Sequence, residues 1–300
     1  MISVVIPTHN RADLLPRAIK SVQAQTYTDL EILIVSDGSE DNTQEVVEEL
    51  AKDDNRIKFI EYFPARGGNV ARNTGIENAS GEYVAFLDDD DEFMPEKLEK
   101  QMAVMQADPQ IGLVYTGVHI IYVNEDIAYS SIPKASGDLS KEILLDNVIG
   151  TTSTVMARRD VLLKAGMFDV KLRALQDFDL WIRVCQLCKI GHVPEEMINY
   201  YNYTGTKQVS ALTDKYIESF AYINNKYKDM LDTLSEEMQR EKKYNEYMLL
   251  ANKAMRNGDG KLARRFIKVA LREIKSKKAI AYYLLSFCSY KTVLKLRSCF

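Results

Sequence analysis

Apolar and polar positions follow two regimes along this chain. In the first 125 residues, short apolar β-branched runs recur between amphipathic stretches. The runs are 2–6 (Ile-Ser-Val-Val-Ile), 31–35 (Glu-Ile-Leu-Ile-Val), 57–61 (Ile-Lys-Phe-Ile-Glu), 83–87 (Tyr-Val-Ala-Phe-Leu) and 112–116 (Gly-Leu-Val-Tyr-Thr). Helical spacing between them predicts helices near 12–25, 41–53, 69–79 and 95–107. Start signals are Asp13 with Pro16, Asp41-Asn42-Thr43 ahead of Glu45, and Pro95 in a first turn. Strands alternating with helices imply βαβ units and an α/β fold with a mostly parallel, buried sheet.

Residues 126–210 are less regular. They contain a turn at Lys134–Gly137, a strand candidate at Ser153–Ala157, a helix from about 158 closed by Gly166, and a helix starting near Gln176 that carries the only tryptophan, Trp181. From about 211 the pattern is helical to the end, broken by Asn257-Gly258-Asp259-Gly260 into a helix–turn–helix. The stretch 251–271 resembles one tetratricopeptide unit, but no second copy follows. The division expected is a catalytic domain over 1–210 and a helical region over 211–300.

Composition adds three constraints. The chain has 300 residues, 46% of them hydrophobic, ample for a large core. Four cysteines (Cys185, Cys188, Cys288, Cys299) are too few for a disulfide framework, so a reducing, cytoplasmic setting is expected. Met1 leads straight into a strand pattern, with no signal-peptide signature. The net charge of −4 conceals an asymmetry: residues 261–300 hold 11 Lys/Arg and one acid, Glu273, so the rest of the chain is strongly acidic. A basic tail on an acidic body is suited to an anionic partner.

The polar motifs fall at one kind of place. Thr8-His9-Asn10 follows the first strand, Ser36-Asp37-Gly38-Ser39 the second, and Asp88-Asp89-Asp90-Asp91 the fourth. In open α/β sheets, ligands bind beyond the carboxyl ends of the strands. The aspartate run carries most weight. A helix cap needs one or two acids, whereas four crowded carboxylates repel unless a cation joins them. Hard oxygen donors at this spacing are suited to Mn²⁺ or Mg²⁺ bridging to phosphate. Asp37 beside Gly38 is either an Asx-turn or an acceptor for nucleobase N–H groups. Arg66–Gly75 places glycines ahead of a helix containing Arg72, which can meet a diphosphate or a strand-end aspartate, although it is neither GxGxxG nor a P-loop. Gln176-Asp177-Phe178-Asp179-Leu180-Trp181 puts acids at a helix start. They either compensate the dipole or make Asp177 a general base with Trp181 as an apolar wall. Cys185-x-x-Cys188 lacks a second ligand pair and reads as buried helix packing rather than zinc, while His9 and His119 read as structural.

Taken together, the motifs Val-Val-Ile-Pro-Thr-His-Asn-Arg, Val-Ser-Asp-Gly-Ser-Glu-Asp, Ala-Arg-Asn-Thr-Gly, Phe-Leu-Asp-Asp-Asp-Asp and Gln-Asp-Phe-Asp-Leu-Trp make residues 1–210 resemble the family 2 glycosyltransferases of GT-A fold. The resemblance implies an inverting enzyme with a nucleotide-diphosphate sugar donor, most often a UDP-sugar, and Mn²⁺ or Mg²⁺. Its acceptor would be a glycan or lipid-linked hydroxyl in cell-surface polysaccharide synthesis. By matching positions, Pro7 and Thr8 line the nucleotide pocket, Asp37 reads the base, and Arg72 lies near the diphosphate. Asp88 or Asp89 touches the ribose, Asp90 holds the metal, and Asp177 is the base. Three departures stand out: Ser36 where many members have a second aspartate, Gln176 where Glu is common, and Thr204-Gly205-Thr206 where many carry a histidine. Two other functions compete. A metal-dependent nucleotidyltransferase would need a glycine-rich loop near the N-terminus, and a non-catalytic binding homologue would not need both Asp90 and Asp177.

The tail offers its own alternatives. Helical spacing puts Leu262, Phe266, Val269 or Ala270, and Ile274 on one face with Lys and Arg opposite. The 12 uncharged residues 279–290 are too short to cross a bilayer. The tail either lies on an anionic membrane surface, giving peripheral attachment at the inner face of the plasma membrane, or packs as a helical hairpin on the catalytic domain or on a second subunit. No nucleic-acid-binding module accompanies the charge, so no nucleic-acid partner is expected.

Overall fold

The computed structural model describes residues 1–203 and 213–297. Its centre is one nine-stranded sheet. β1 (Ile2–Thr8) pairs in parallel with β2 (Leu30–Asp37) and β4 (Tyr83–Phe86), and β3 (Ile57–Tyr62) lies outside β2. Every residue of β1 and β2 is buried, as expected of strands covered on both faces. Period-2 alternation divides their side chains between two cores. Val4, Ile6, Ile32 and Ile34 pack with Leu15, Ile19 and Val22 of α1 (Leu15–Gln23), and α2 (Thr43–Ala51) and α4 (Lys97–Ala107) cover the same face. Val5, Leu33, Val35, Val84 and Phe86 pack on the other face under α3 (Gly68–Asn78). α3 sits so close to β1 that a Cβ on Gly75 would stand 2.3 Å from Val5 Cγ1.

Beyond β4 the sheet becomes mixed, so the parallel expectation holds for the first half only. β8 (Met156–Arg158) runs antiparallel between β4 and β6 (Ile111–Tyr122), while β6 pairs in parallel with β9 (Lys189–Asn202). β5 (Glu92–Phe93) and β7 (Ile127–Ser131) add antiparallel edges on β9 and β6. β9 has no counterpart among the expected strands, because Pro194-Glu195-Glu196 breaks its apolar pattern. The structure accommodates that segment in a register shift opposite Gly117, where a Cβ would meet Glu195 O at 2.6 Å.

Three local expectations change. The strand expected at Ser153–Ala157 begins as a 3-10 turn, Thr152–Thr154, before β8. Pro95 precedes α4 rather than entering its first turn. Asp13 does not cap α1, whose N-cap is Leu14. α5 (Arg159–Lys164) ends at Gly166, φ +82°, as expected, and α6 (Gln176–Cys185) carries the second acidic motif.

The C-terminal region contains α7 (Thr213–Lys226), α8 (Lys228–Asp232), α9 (Glu236–Arg256), α10 (Gly260–Glu273), α11 (Lys277–Leu285) and α12 (Tyr290–Arg297). α9 and α10 form the expected hairpin, with the Asp259 side chain accepting from Leu262 N at 2.8 Å. The apolar face of α10 turns inward. Ala263, Ile267 and Ala270 are buried and Phe266 meets Tyr247 at 6.0 Å, so this face, for which membrane contact and hairpin packing were both open, is packed on α9. The region also joins α6 through a buried ion network. Asp179 of α6, fully buried, accepts from Arg183 Nη2 at 2.7 Å, Lys226 Nζ at 2.8 Å and Tyr227 Oη at 2.8 Å.

Candidate active site

The carboxyl ends of β1, β2 and β4 open into a cavity of about 700 Å³. Pro7, Thr8, Asp37, Arg72, Asp88, Asp89, Asp90 and Asp177 all line it, so every site residue expected from the sequence converges there. The turn at Asp37 needs its glycine: Gly38 has φ +63°, and a Cβ there would lie 2.7 Å from Ala65 N. Asp37 uses both carboxylate oxygens on the glycine loop, accepting from Arg66 N and Gly67 N at 2.7 Å each. His9 also lines the cavity, its Nδ1 donating to the Asp37 carbonyl at 2.6 Å.

The aspartate run is held by a set of cations and hydroxyls. Arg72 Nη2 donates to Asp88 Oδ1 at 2.6 Å, the aspartate alternative of the two open for it. Arg11 Nη1 bridges Asp89 and Asp90 at 2.8 and 2.9 Å, and Arg17 Nη2 donates to the Asp90 carbonyl at 2.6 Å. Burial pushes the Asp89 carboxyl up to about 6, against the pull of Arg11. Asp91 is fully buried, accepting from Ser153 Oγ at 2.7 Å and Tyr201 N at 3.3 Å. Burial and repulsion from Asp90 and Asp88 hold its carboxyl well above the usual carboxylate range. The 3-10 turn that replaces the expected strand therefore supports the run: Ser153 Oγ also accepts from Asp88 N at 3.1 Å.

Asp90 is likewise held high, by burial and by Asp88, despite Arg11. Accumulated negative charge of this kind is relieved by an added cation, and the residues fit a divalent ion in that respect. Among the described residues no group of three acids, histidines or cysteines could hold a metal alone, so substrate phosphate oxygens would have to complete its coordination.

Asp177 enters the same cavity from α6. Leu175, the residue before α6, adopts φ +58°, a left-handed turn uncommon for leucine, and this sets Asp177 in the first turn facing the cavity. Asn147 Nδ2 donates to Asp177 Oδ2 at 3.5 Å. Burial raises the Asp177 carboxyl, the Phe178 N–H and Arg72 lower it, and Asp88 raises it, with a net upward shift. Trp181 is not the expected apolar wall. It is fully buried behind the site, Nε1 donating to Gly150 O at 3.1 Å, and Phe168, Leu175 and Tyr216 line the cavity instead.

Sequence reasoning missed several lining residues. Arg11 lay inside a quoted motif without a role. Tyr200 and Tyr201 come from the unrecognised β9, and Tyr216, Leu249 and Lys253 come from α7 and α9. Nothing in an amphipathic helix pattern marks which of its polar residues faces a distant cleft. The Thr204-Gly205-Thr206 departure lies outside the described residues.

The sequence model for "Glycosyl transferase family 2" matches residues 3–166. The chain belongs to glycosyltransferase family 2. Relatives within the family include an uncharacterised glycosyltransferase of Haemophilus influenzae, 33% identical over 187 residues, 62% of each chain. A Campylobacter jejuni GalNAc(5)-diNAcBac-PP-undecaprenol β-1,3-glucosyltransferase is 49% identical over 102 residues, 34% of this chain and 33% of the relative. The matches thus span less than two thirds of these relatives' lengths. Among solved structures, Staphylococcus aureus TarS in complex with UDP-GlcNAc aligns at TM-score 0.58 and 17% identity, over 95% of this chain and 90% of that one. A Pyrobaculum calidifontis mannosyltransferase, in complex with GDP-Man and Mn²⁺, aligns at TM-score 0.61 and 16% identity, over 100% and 87%. At these identities the likeness concerns the fold, which is the GT-A arrangement expected.

Proposed function

We propose that this family 2 glycosyltransferase moves a sugar, with inversion, from a UDP-sugar to a hydroxyl of a glycan or lipid-linked acceptor in surface-polysaccharide synthesis. The observation that carries the mechanism is Asp177, with its raised affinity for a proton, facing the Asp88–Asp90 cluster across one cavity. Pro7, Thr8 and Asp37 take the nucleoside end, and Asp88 or Asp89 the ribose. Asp37's carboxylate, already ordering the Arg66–Gly67 loop, retains lone pairs for a base N–H. Arg72 passes from Asp88 to the diphosphate when substrate enters. Asp90 would hold Mn²⁺ or Mg²⁺, which would supply positive charge against the diphosphate as it departs. Asp177 removes the acceptor proton as the hydroxyl attacks the anomeric carbon from the face opposite the diphosphate. One bond forms as the other breaks, so no covalent enzyme intermediate is required. UDP is supported by a solved relative's UDP-GlcNAc, the cation by another's Mn²⁺, and a lipid-linked acceptor by the Campylobacter relative's name.

The division into a GT-A domain over 1–210 and a helical region over 211–300 belongs to the same proposal. The helical region also supplies a membrane-facing surface, although no helix among the described residues is long and apolar enough to cross a bilayer. Ile280 and Leu284 of α11, with Phe287 beyond it, form an i, i+4, i+7 stripe exposed by 52, 64 and 67%. Exposed Lys277, Lys278 and Lys291 flank it, a composition suited to anionic lipid.

A thermal-shift panel of nucleotide-diphosphate sugars with and without Mn²⁺ tests the donor assignment. A ligand that binds only the folded state raises the melting temperature. A UDP-sugar that stabilises the protein more with Mn²⁺ than without is expected, and no shift with any donor contradicts the proposal.

A further inference from the structure

Trp181, the only tryptophan, has no part in the chemistry proposed above. It is fully buried on α6, four positions and about one turn after Asp177. Its Nε1 donates to the Gly150 carbonyl at 3.1 Å. Gly150 lies between the 3-10 turns Glu142–Leu144 and Thr152–Thr154 and has φ +90°, in the region that favours glycine. Asn147 closes the same turn with its side chain. Asn147 Oδ1 accepts from Gly150 N at 3.0 Å, and Asn147 Nδ2 donates to Gly150 O at 3.3 Å.

The same amide nitrogen reaches the base. Asn147 Nδ2 donates to Asp177 Oδ2 at 3.5 Å, and both residues line the cavity. An amide NH₂ carries two hydrogens, enough for Gly150 O and Asp177 together. The contact is long, as catalytic hydrogen bonds often are before substrate binds. Asp177 Oδ1 accepts from Phe178 N at 2.8 Å, so each carboxylate oxygen has its own donor. A carboxylate taken out of water needs such donors to keep its charge and its rotamer. The bonds thus run in one chain, from the Trp181 indole through Gly150 and Asn147 to Asp177 Oδ2.

Building on the proposed function, we propose that Asn147 is a positioning residue for the base: Trp181 anchors Gly150, Gly150 fixes the Asn147 side chain, and Asn147 orients Asp177 Oδ2 while donating to its ionised form. α6 therefore supplies both the base and, one turn later, the indole that anchors the base's own partner. Turnover depends on a buried tryptophan that no substrate touches. The charged groups around Asp177 are Arg72 of α3, Asp88 beyond β4 and Lys253 of α9, and the Tyr216 hydroxyl of α7 is held protonated by burial. Asp146, beside Asn147, also lines the cavity. All of these stay in place when Asn147 is replaced, so a change in the pH profile reads the amide.

The test follows UDP release from UDP-glucose or UDP-GlcNAc with Mn²⁺ across pH, on the full chain. Asn147→Ala should lower kcat roughly 10- to 100-fold, the scale of a misplaced reacting group, while UDP affinity by calorimetry stays within about threefold. Losing a donor to the charged form raises the pKa of a carboxylate, so the acid limb of kcat/KM should move up by about one pH unit. Asn147→Asp keeps an oxygen for Gly150 N but replaces the donor by a like charge, and should move the limb further up. Emission from Trp181, the only tryptophan, should stay close to that of the unmodified protein in Asn147→Asp, showing the turn in place. Trp181→Phe keeps a ring and removes the N–H, and should shift the limb in the same direction by less. Unchanged kcat in Asn147→Ala, a limb that stays put in both Asn147 variants, or a loss confined to KM would overturn the positioning role. Asp177→Asn is measured first: full turnover there would overturn the base itself, before Asn147 is touched.

Discussion

Two regions of this molecule build one cavity by different routes. At the sheet edge, each site residue follows directly on an apolar strand: Thr8 ends β1, Asp37 ends β2, and Asp88–Asp90 follow β4. In the C-terminal region, Tyr216, Leu249 and Lys253 come from helices that reach the cavity only because α7 and α9 dock beside α6. The first contribution depends on local chain geometry. The second depends on packing, anchored by buried Asp179 and its partners Arg183, Lys226 and Tyr227. The sheet edge and the helical wall can therefore be broken separately.

The largest separate effect is expected at the edge. Asp90→Ala should remove Mn²⁺-stimulated release of UDP from its sugar donor, a loss on the order of 10³-fold if the cation supplies several kcal/mol. Unchanged turnover with Mn²⁺ would remove Asp90 from the metal assignment. The docking is broken at Asp179. Its substitution by alanine leaves Lys226 and Arg183 without their buried carboxylate and should cost about 3–5 kcal/mol in denaturant unfolding. A change under about 1 kcal/mol would show that the network does not hold the helices in place. The smallest effect is expected on α11. Ile280→Ser, Leu284→Ser and Phe287→Ser together should leave turnover on a soluble acceptor intact. They should lower co-sedimentation with phosphatidylglycerol vesicles by roughly tenfold or more, since each apolar group contributes about 1 kcal/mol or more at an interface. Equal sedimentation would leave the stripe without a lipid role.

The same contrast explains what the sequence made legible. Strand-end motifs were readable because a strand's periodicity fixes where it ends, and unpaired charge at that point has few structural explanations. The convergence of Thr8, Asp37, Asp88–Asp90 and Asp177 followed from those motifs and the resemblance they carried. The role of Arg11 was not readable, because the pairing of a loop arginine with Asp89 and Asp90 depends on how two loops 78 residues apart approach. The supporting role of Ser153 was hidden for a related reason: a β-rich stretch, Ser-Thr-Val-Met-Ala, folds first as a 3-10 turn to bring its hydroxyl under Asp91. Trp181 looked like a cleft residue by sequence proximity to Asp177. Helical geometry puts it four positions on, where its ring meets Phe168 inside the core. On α10, amphipathicity was read correctly, but the partner of its apolar face turned out to be α9.

The central claim is that Asp177 is the base in a transfer whose donor is held by the opposite edge. The most direct test measures turnover and UDP affinity together in Asp177→Asn. A general base contributes roughly 10²–10⁴-fold, so turnover should fall by that much while UDP affinity stays within about threefold. In the unmodified enzyme, kcat/KM should fall tenfold per pH unit on the acid side. Because burial raises the Asp177 pKa, that limb should lie above the ordinary aspartate value of 3.8. Full turnover in Asp177→Asn, or loss of UDP binding equal to the loss of rate, would contradict the account.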